Sequence, residues 1–105
     1  MPIFANKGAA DTVEPFGHHP ELKWVRGIVT REPQDGTWGI VYDDTPAEED
    51  RFAGHLSLAP SPELERLRDG DIVEIQGKVD TIVHDRLGKP VYVVADLKKM
   101  ATMMP

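Results

Sequence analysis

Histidines and clustered carboxylates are the first residues to consider for chemistry. His18 and His19 are adjacent, and His55 and His84 are isolated. Metal ligands on regular structure recur at spacings such as i, i+4 on a helix, whereas adjacent histidines in an extended segment point apart. No metal site is expected. Gly36-Thr37-Trp38-Gly39 lacks the lysine and the following helix of a phosphate-cradling loop. There is no nucleophile motif and no Cys/His pair, so the chain reads as a non-enzyme with no catalytic residues and no cofactor. Asp43, Asp44, Glu48, Glu49 and Asp50 form an acidic run with no base among them. Their spacing does not match an EF-hand loop, and Pro46 interrupts it. Residues 43–50 are either a solvated loop that favours solubility or a docking surface for a basic partner.

Composition narrows the class further. The 105 residues suit one domain with a modest core. The absence of cysteine excludes disulfides and thiolate metal sites, and it fits a reducing cytoplasm, the expected location. No run approaches the roughly 18 apolar residues of a membrane span, so no membrane association is expected. The N-terminal residues carry one lysine and no long apolar stretch, and they do not read as a signal peptide. The formal net charge is −6, from 12 Lys+Arg against 18 Asp+Glu. Domains that bind phosphate backbones are usually basic, so this balance weighs against nucleic acid. The excess is local, however. Residues 21–99 hold eleven basic and sixteen acidic side chains, and the numbers become equal once the five acids of 43–50 are set aside.

Periodicity supplies the elements that must position any site. Residues 1–20 show no sustained period and contain Gly8, Pro15, Gly17 and Pro20, so they are expected to be a flexible tail, unless Phe4 or Phe16 pins it. Residues 22–32 (LKWVRGIVTRE) read as a long first strand, with Gly27 marking a bulge or bend. Pro33-Gln34-Asp35-Gly36 is a turn, and 37–42 (TWGIVY) a second strand. Residues 51–59 (RFAGHLSLA) read as the third, with Phe52, Gly54, Leu56 and Leu58 facing the core. In 61–70 (SPELERLRDG), Ser61 suits an N-cap, Pro62 the first helical position, and Gly70 a left-handed cap. Leu64 and Leu67 would share one face of this two-turn helix, which must pack to persist. Residues 71–83 (DIVEIQGKVDTIV) alternate as a fourth strand. A loop with Gly88 leads to a fifth strand at 91–97, with Val91, Val93, Ala95 and Leu97 on one face. Residues 100–105 read as a tail.

The order is thus β–β–β–α–β–β across 21–99. The segments 67–79 (LRDGDIVEIQGKV) and 88–97 (GKPVYVVADL) resemble the helix-to-strand-four and loop-to-strand-five passages of OB-fold domains. This resemblance implies an all-β, five-stranded Greek-key barrel of the OB type, with one short helix between its third and fourth strands. Closure would remove the exposed edges of five short strands, and mid-strand glycines sit where closure needs bends. An SH3-like barrel is the main rival; it joins five short strands by short loops and a single 3-10 turn, so the capped helix expected at 61–70 favours the OB type.

OB barrels commonly bind single strands or oligosaccharides on the face of strands 2 and 3, flanked by the 1–2 and 4–5 loops. Single-strand binding needs aromatic platforms beside positive charge. On this resemblance the candidate nucleic-acid-binding residues are Arg31, Trp38, Tyr42, Arg51, His55, Lys78, Arg86 and Lys89. Trp38, Ile40 and Tyr42 share one strand face, however, so the two aromatics turn inward if Ile40 is core. Arg86 and Lys89 can equally be solvated loop charges. Two function classes follow: a module for single-stranded DNA or RNA, and a protein-interaction or assembly subunit using the acidic loop 43–50. A small enzyme or sugar-binding barrel ranks below both.

Overall fold

The computed structural model describes residues 15–85 and 88–102. A two-residue strand β1 (Gly17–His18) precedes five longer ones: β2 (Trp24–Arg31), β3 (Trp38–Val41), β4 (His55–Leu58), β5 (Asp71–His84) and β6 (Pro90–Thr102). The strands expected as first to fifth are therefore β2 to β6. Burial along β2 alternates as its sequence does, with Val25, Gly27 and Val29 inside.

β2 pairs antiparallel with β3 through Ile28↔Val41 to Arg31↔Trp38, and with β5 through Trp24↔Gln76 to Ile28↔Ile72. β3 pairs antiparallel with β4, β4 runs parallel to β6 at Ser57↔Val91, and β6 returns antiparallel along β5. The circuit β2–β3–β4–β6–β5–β2 closes, and the chain is an all-β, five-stranded closed barrel. Gly27 lies where β2 changes partners. A Cβ there would be driven into the Val41 carbonyl, so only glycine allows the strands to approach. Gly77 marks a register slip of β5 against β6, and a Cβ there would meet the Val93 carbonyl.

The enclosed core holds Val25, Val29, Trp38, Ile40, Tyr42, Leu56, Leu58, Val73, Ile75 and Tyr92, closed at one end by Leu64 and Leu67. The element carrying Leu64 is a single 3-10 turn, Pro62–Arg66, not a two-turn helix. Ser61 caps it as expected, its side chain accepting from the Glu63 N–H. With three residues per turn, Leu64 and Leu67 already project the same way, so one turn suffices to plug the barrel. The following residues tie the turn down. Gly70, at φ 97°, donates its N–H to the Val29 carbonyl at 2.8 Å. Asp71 is wholly buried, accepts from the Arg68 N–H at 2.9 Å, and lies 3.4 Å from Lys99 Nζ.

Several element limits differ from those expected. The third barrel strand begins at His55, because 51–54 fold into a turn around the Asp50 carboxylate, which accepts from the Phe52 and Gly54 N–H groups. The turn needs positive φ at Ala53 (53°) and Gly54 (77°). The inward face of β6 is also corrected. Val91 is buried and Leu97 packs on the core, but between them Tyr92 is fully buried and Val94 packs inward, whereas Ala95 is exposed; the slip between Gln76↔Asp96 and Gly77↔Val94 leaves Ala95 unpaired and shifts the alternation by one residue between Val94 and Leu97. Within the segment expected as a tail, Gly17 and His18 pair with Arg26 and Val25, so docking begins before residue 21. At the other end β6 continues past 99 to Thr102, opposite Asp71. Residues 1–14 and 103–105 of the expected tails lie outside the described residues.

Gly27→Ala is expected to cost about 2–3 kcal/mol in urea unfolding, as overpacking does. Leu64→Ala should cost about 2–5 kcal/mol by opening a cavity under the turn. A loss below about 0.5 kcal/mol, the range of ordinary surface substitutions, in either variant would contradict the corresponding packing.

Candidate functional site: a groove across β3 and β4

A groove of about 630 Å³ runs over the face of β3 and β4. Trp38, Gly39, His55, Ser57 and Leu58 form its floor. Its walls are the turn after β2 (Glu32, Asp35, Gly36), the segment 60–65 with the plugging Leu64, and the hairpin residues Val83, His84 and Asp85. The β3–β4 register creates the floor. Gly39 lies opposite Ser57, and the space above it is taken by the His55 ring, whose Nε2 would stand 2.8 Å from any Cβ at position 39. Desolvation there, with Lys89 nearby, lowers the His55 pKa below its usual 6.5 against the opposing pull of Asp85. The imidazole is therefore neutral near pH 7.

Asp85 fixes the hairpin wall to the floor. It accepts from Ser57 Oγ at 2.7 Å and from the Lys89 N–H at 2.9 Å, and its own N–H donates to the Lys89 carbonyl at 2.8 Å. A serine, a histidine and an aspartate thus meet in one groove. The Ser57 hydroxyl donates its hydrogen bond to the Asp85 carboxylate and so ties the hairpin loop to β4.

The structure sorts the residues singled out from sequence. Trp38 and Tyr42 are 5% and 1% exposed, so neither is a stacking platform. Both belong to the core with Ile40, as their shared strand face allows. Trp38 still contributes to the groove floor, and its buried Nε1–H has no acceptor among the described residues. Arg31 also lines the groove, with its guanidinium 5.4 Å from the Trp38 ring centre and its Nε donating to the Gly36 carbonyl at 3.3 Å. Arg31, Trp38 and His55 are therefore brought together, with the exposed Lys89 beside them. Arg51 sits instead on the turn before β4, over the Phe52 ring, and Lys78 projects from β5 opposite Val93; neither lines the groove. Arg86 lies outside the described residues. Sequence reasoning missed Ser57, Glu65 and Asp85. Ser57 was readable, because it shares the outer strand face with His55 two residues away.

Tyr42 serves the opposite side of the barrel. Its hydroxyl donates to Asp50, with both carboxylate oxygens at 2.8 Å, and His18 meets its ring edge-on at 4.9 Å. Burial, and then the Asp50 hydrogen bond, push the phenol well above its usual range. Burial would also raise Asp50, but bonds from the Phe52 N–H, the Tyr42 hydroxyl and the Gly54 N–H outweigh it and hold the carboxyl below 3.8. Asp50 is thus a structural brace of the acidic loop. Asp43 bends the same loop by accepting from the Thr45 N–H at 3.0 Å, while residues 44–49 are exposed.

Three outcomes follow from this geometry. Because the folded-state pKa of Asp50 is depressed, its contribution to stability is complete above about pH 4 and is lost as pH falls through the folded value. The stability gap between the native chain and Asp50→Asn should accordingly narrow below pH 4 in acid unfolding; a gap that widens there would contradict the bracing role. Tyr42→Phe should cost about 1.5–3 kcal/mol, as for a bond to a charged acceptor. His55 should titrate below the usual histidine range in an NMR pH series, and a midpoint above it would contradict the groove geometry. Set against known proteins, the chain matches no family model, no curated protein and no solved structure.

Proposed function

We propose that this chain is a small, non-catalytic binding module of the OB type that seats its ligand in the β3–β4 groove. Position carries the reading. The groove occupies the second and third barrel strands, between the turn after the first strand and the hairpin joining the last two, which is where OB barrels hold oligonucleotides and oligosaccharides. A 3-10 turn does not separate an OB barrel from an SH3-like one, so support for the type comes from the strand circuit. The fourth barrel strand returns to lie beside the first, giving the order β5–β2–β3–β4 of a Greek key, and the fifth closes the gap through a parallel pair with β4.

Single-stranded DNA or RNA is the ligand class this position suggests. Arg31, His55, His84 and Lys89 are the cations or potential cations at hand, but the His55 pKa is lowered and the buried Trp38 and Tyr42 offer no open ring face. Nucleic-acid binding on this face would be weak and strongly salt-dependent. A protein partner is the second reading, and one observation favours it: the groove is lined by Glu32, Asp35, Glu65 and Asp85 as well as Arg31. The exposed acids of the loop 43–50 carry the same sign of charge away from the groove. Among the described residues no helix is long and apolar enough to cross a membrane. A cytoplasmic setting, suggested by the cysteine-free chain, completes the proposal.

The indole N–H of Trp38, a residue of the groove floor, gives an NMR reporter for the site. Titration at low salt with oligothymidylate, oligouridylate and a fragment library should move that signal together with the amides of Gly39, His55, Ser57 and Asp85. Responses clustered around Tyr42 or Lys78, or none from any probe, would overturn the groove as the binding site.

A further inference from the structure

The geometry points to a specific ligand class for the groove: an extended polypeptide segment that presents a lysine or arginine next to an aliphatic side chain. This inference rests on the groove being the binding site, and it goes further by naming what enters. Three features of the groove require three chemical groups, and such a segment supplies all three.

The first is charge. Four carboxylates line the groove (Glu32, Asp35, Glu65 and Asp85), and Arg31 is the one arginine or lysine among the described lining residues. Some of these acids already have structural duties. Glu32 accepts from the Gln34 N–H, Asp35 from the Thr37 N–H, and Asp85 from Ser57 and Lys89. Glu65, exposed on the 3-10 turn, lies at the groove with its carboxylate open to solvent. A phosphate backbone would be repelled here, and a cationic side chain would be drawn in.

The second is an unsatisfied donor. Trp38 is 5% exposed, and its buried Nε1–H has no acceptor among the described residues. Buried polar groups are nearly always paired, and an unpaired one carries a desolvation penalty. A peptide carbonyl is an acceptor of the right kind. Arg31 overlies the same indole and would have to move aside for a carbonyl to reach it.

The third is an apolar rim. Val83, at the groove wall, is 52% exposed, and its neighbour Ile82 is 85% exposed. They sit near the tip of the β5–β6 hairpin, where Asp80 accepts from both their N–H groups and so holds them at the rim. Exposed aliphatic side chains beside an acidic groove suit a partner's aliphatic residue. They offer no stacking surface to a base.

The two macromolecule classes make opposite demands on Arg31, and this separates them. Against a basic peptide Arg31 is a like charge and a lid; against an oligonucleotide it is the main attraction. The experiment is selection of a phage-displayed library of short random peptides on the full chain, followed by affinity measurement of the enriched peptides and of labelled oligothymidylate on three proteins: native, Arg31→Ala and Glu65→Lys. Glu65 is exposed on the 3-10 turn, and its replacement should leave the barrel folded, which amide NMR spectra would verify. The expected result is enrichment of peptides containing lysine or arginine that shift the Trp38 indole signal. They should bind Arg31→Ala more tightly and Glu65→Lys about fivefold or more weakly. Enriched peptides without a basic residue, or basic peptides indifferent to Glu65→Lys, would overturn the assignment. So would oligothymidylate binding the groove more tightly than any peptide and weakening with Arg31→Ala. In that case the groove would remain the binding site and only its ligand class would change. If no probe of either kind moves a groove resonance, both this inference and the groove reading fall.

Discussion

Backbone hydrogen bonding along β2 is divided between two neighbours, and this division governs the rest of the molecule. Residues Trp24 to Ile28 pair with β5, while Ile28 to Arg31 pair with β3. A flat strand cannot serve both partners within eight residues and still enclose a core. Gly27 permits it, because its missing Cβ lets the Val41 carbonyl come into the space a side chain would fill. Once the sheet is closed, the inward residues of all five strands meet, Leu64 and Leu67 have a mouth to plug, and no long edge is left between β2 and its neighbours.

The same closure produces the groove and sets its character. Bending brings the turn after β2 and the β5–β6 hairpin to opposite sides of the β3–β4 face. It also turns the inner face of β3 into core, so Trp38, Ile40 and Tyr42 are consumed by packing. What remains for a ligand is the outer face of β4, His55 and Ser57, together with the carboxylates of the walls. The hairpin wall stays in place because Asp85 is bonded to Ser57 on the floor. A barrel of this size has few large residues to spare, and here they stabilise the fold before they can contact anything else.

Much of this was legible in the sequence where one local signal sufficed. The alternation of β2 and β5, the glycines at 27 and 77, the Ser61-Pro62 start and the paired leucines each state their own structural role. Other features depended on two segments at once and were not legible. The change of phase along β6, from Tyr92 and Val94 inward to Leu97 inward, comes from a register slip against β5, which no single strand records. The loss of Arg51 from the third strand follows from Asp50 gathering the Phe52 and Gly54 N–H groups into a turn, a preference that the alternating pattern of 51–59 conceals. The place of the groove was inferred from the order of elements, but its acidity was not. Glu32, Asp35, Glu65 and Asp85 are scattered along the chain and become neighbours only through closure.

The double pairing of β2 is best tested by cross-strand nuclear Overhauser contacts in a single sample. A closed barrel requires contacts between Val29 and Ile40 on one side of β2 and between Val25 and Ile75 on the other, together with the parallel contact of Ser57 with Val91. If all three sets appear, the sheet is shut and the groove has its walls. If either set from β2 is missing, or β4 and β6 do not meet, the sheet is open, and both the shared core and the groove described above are contradicted.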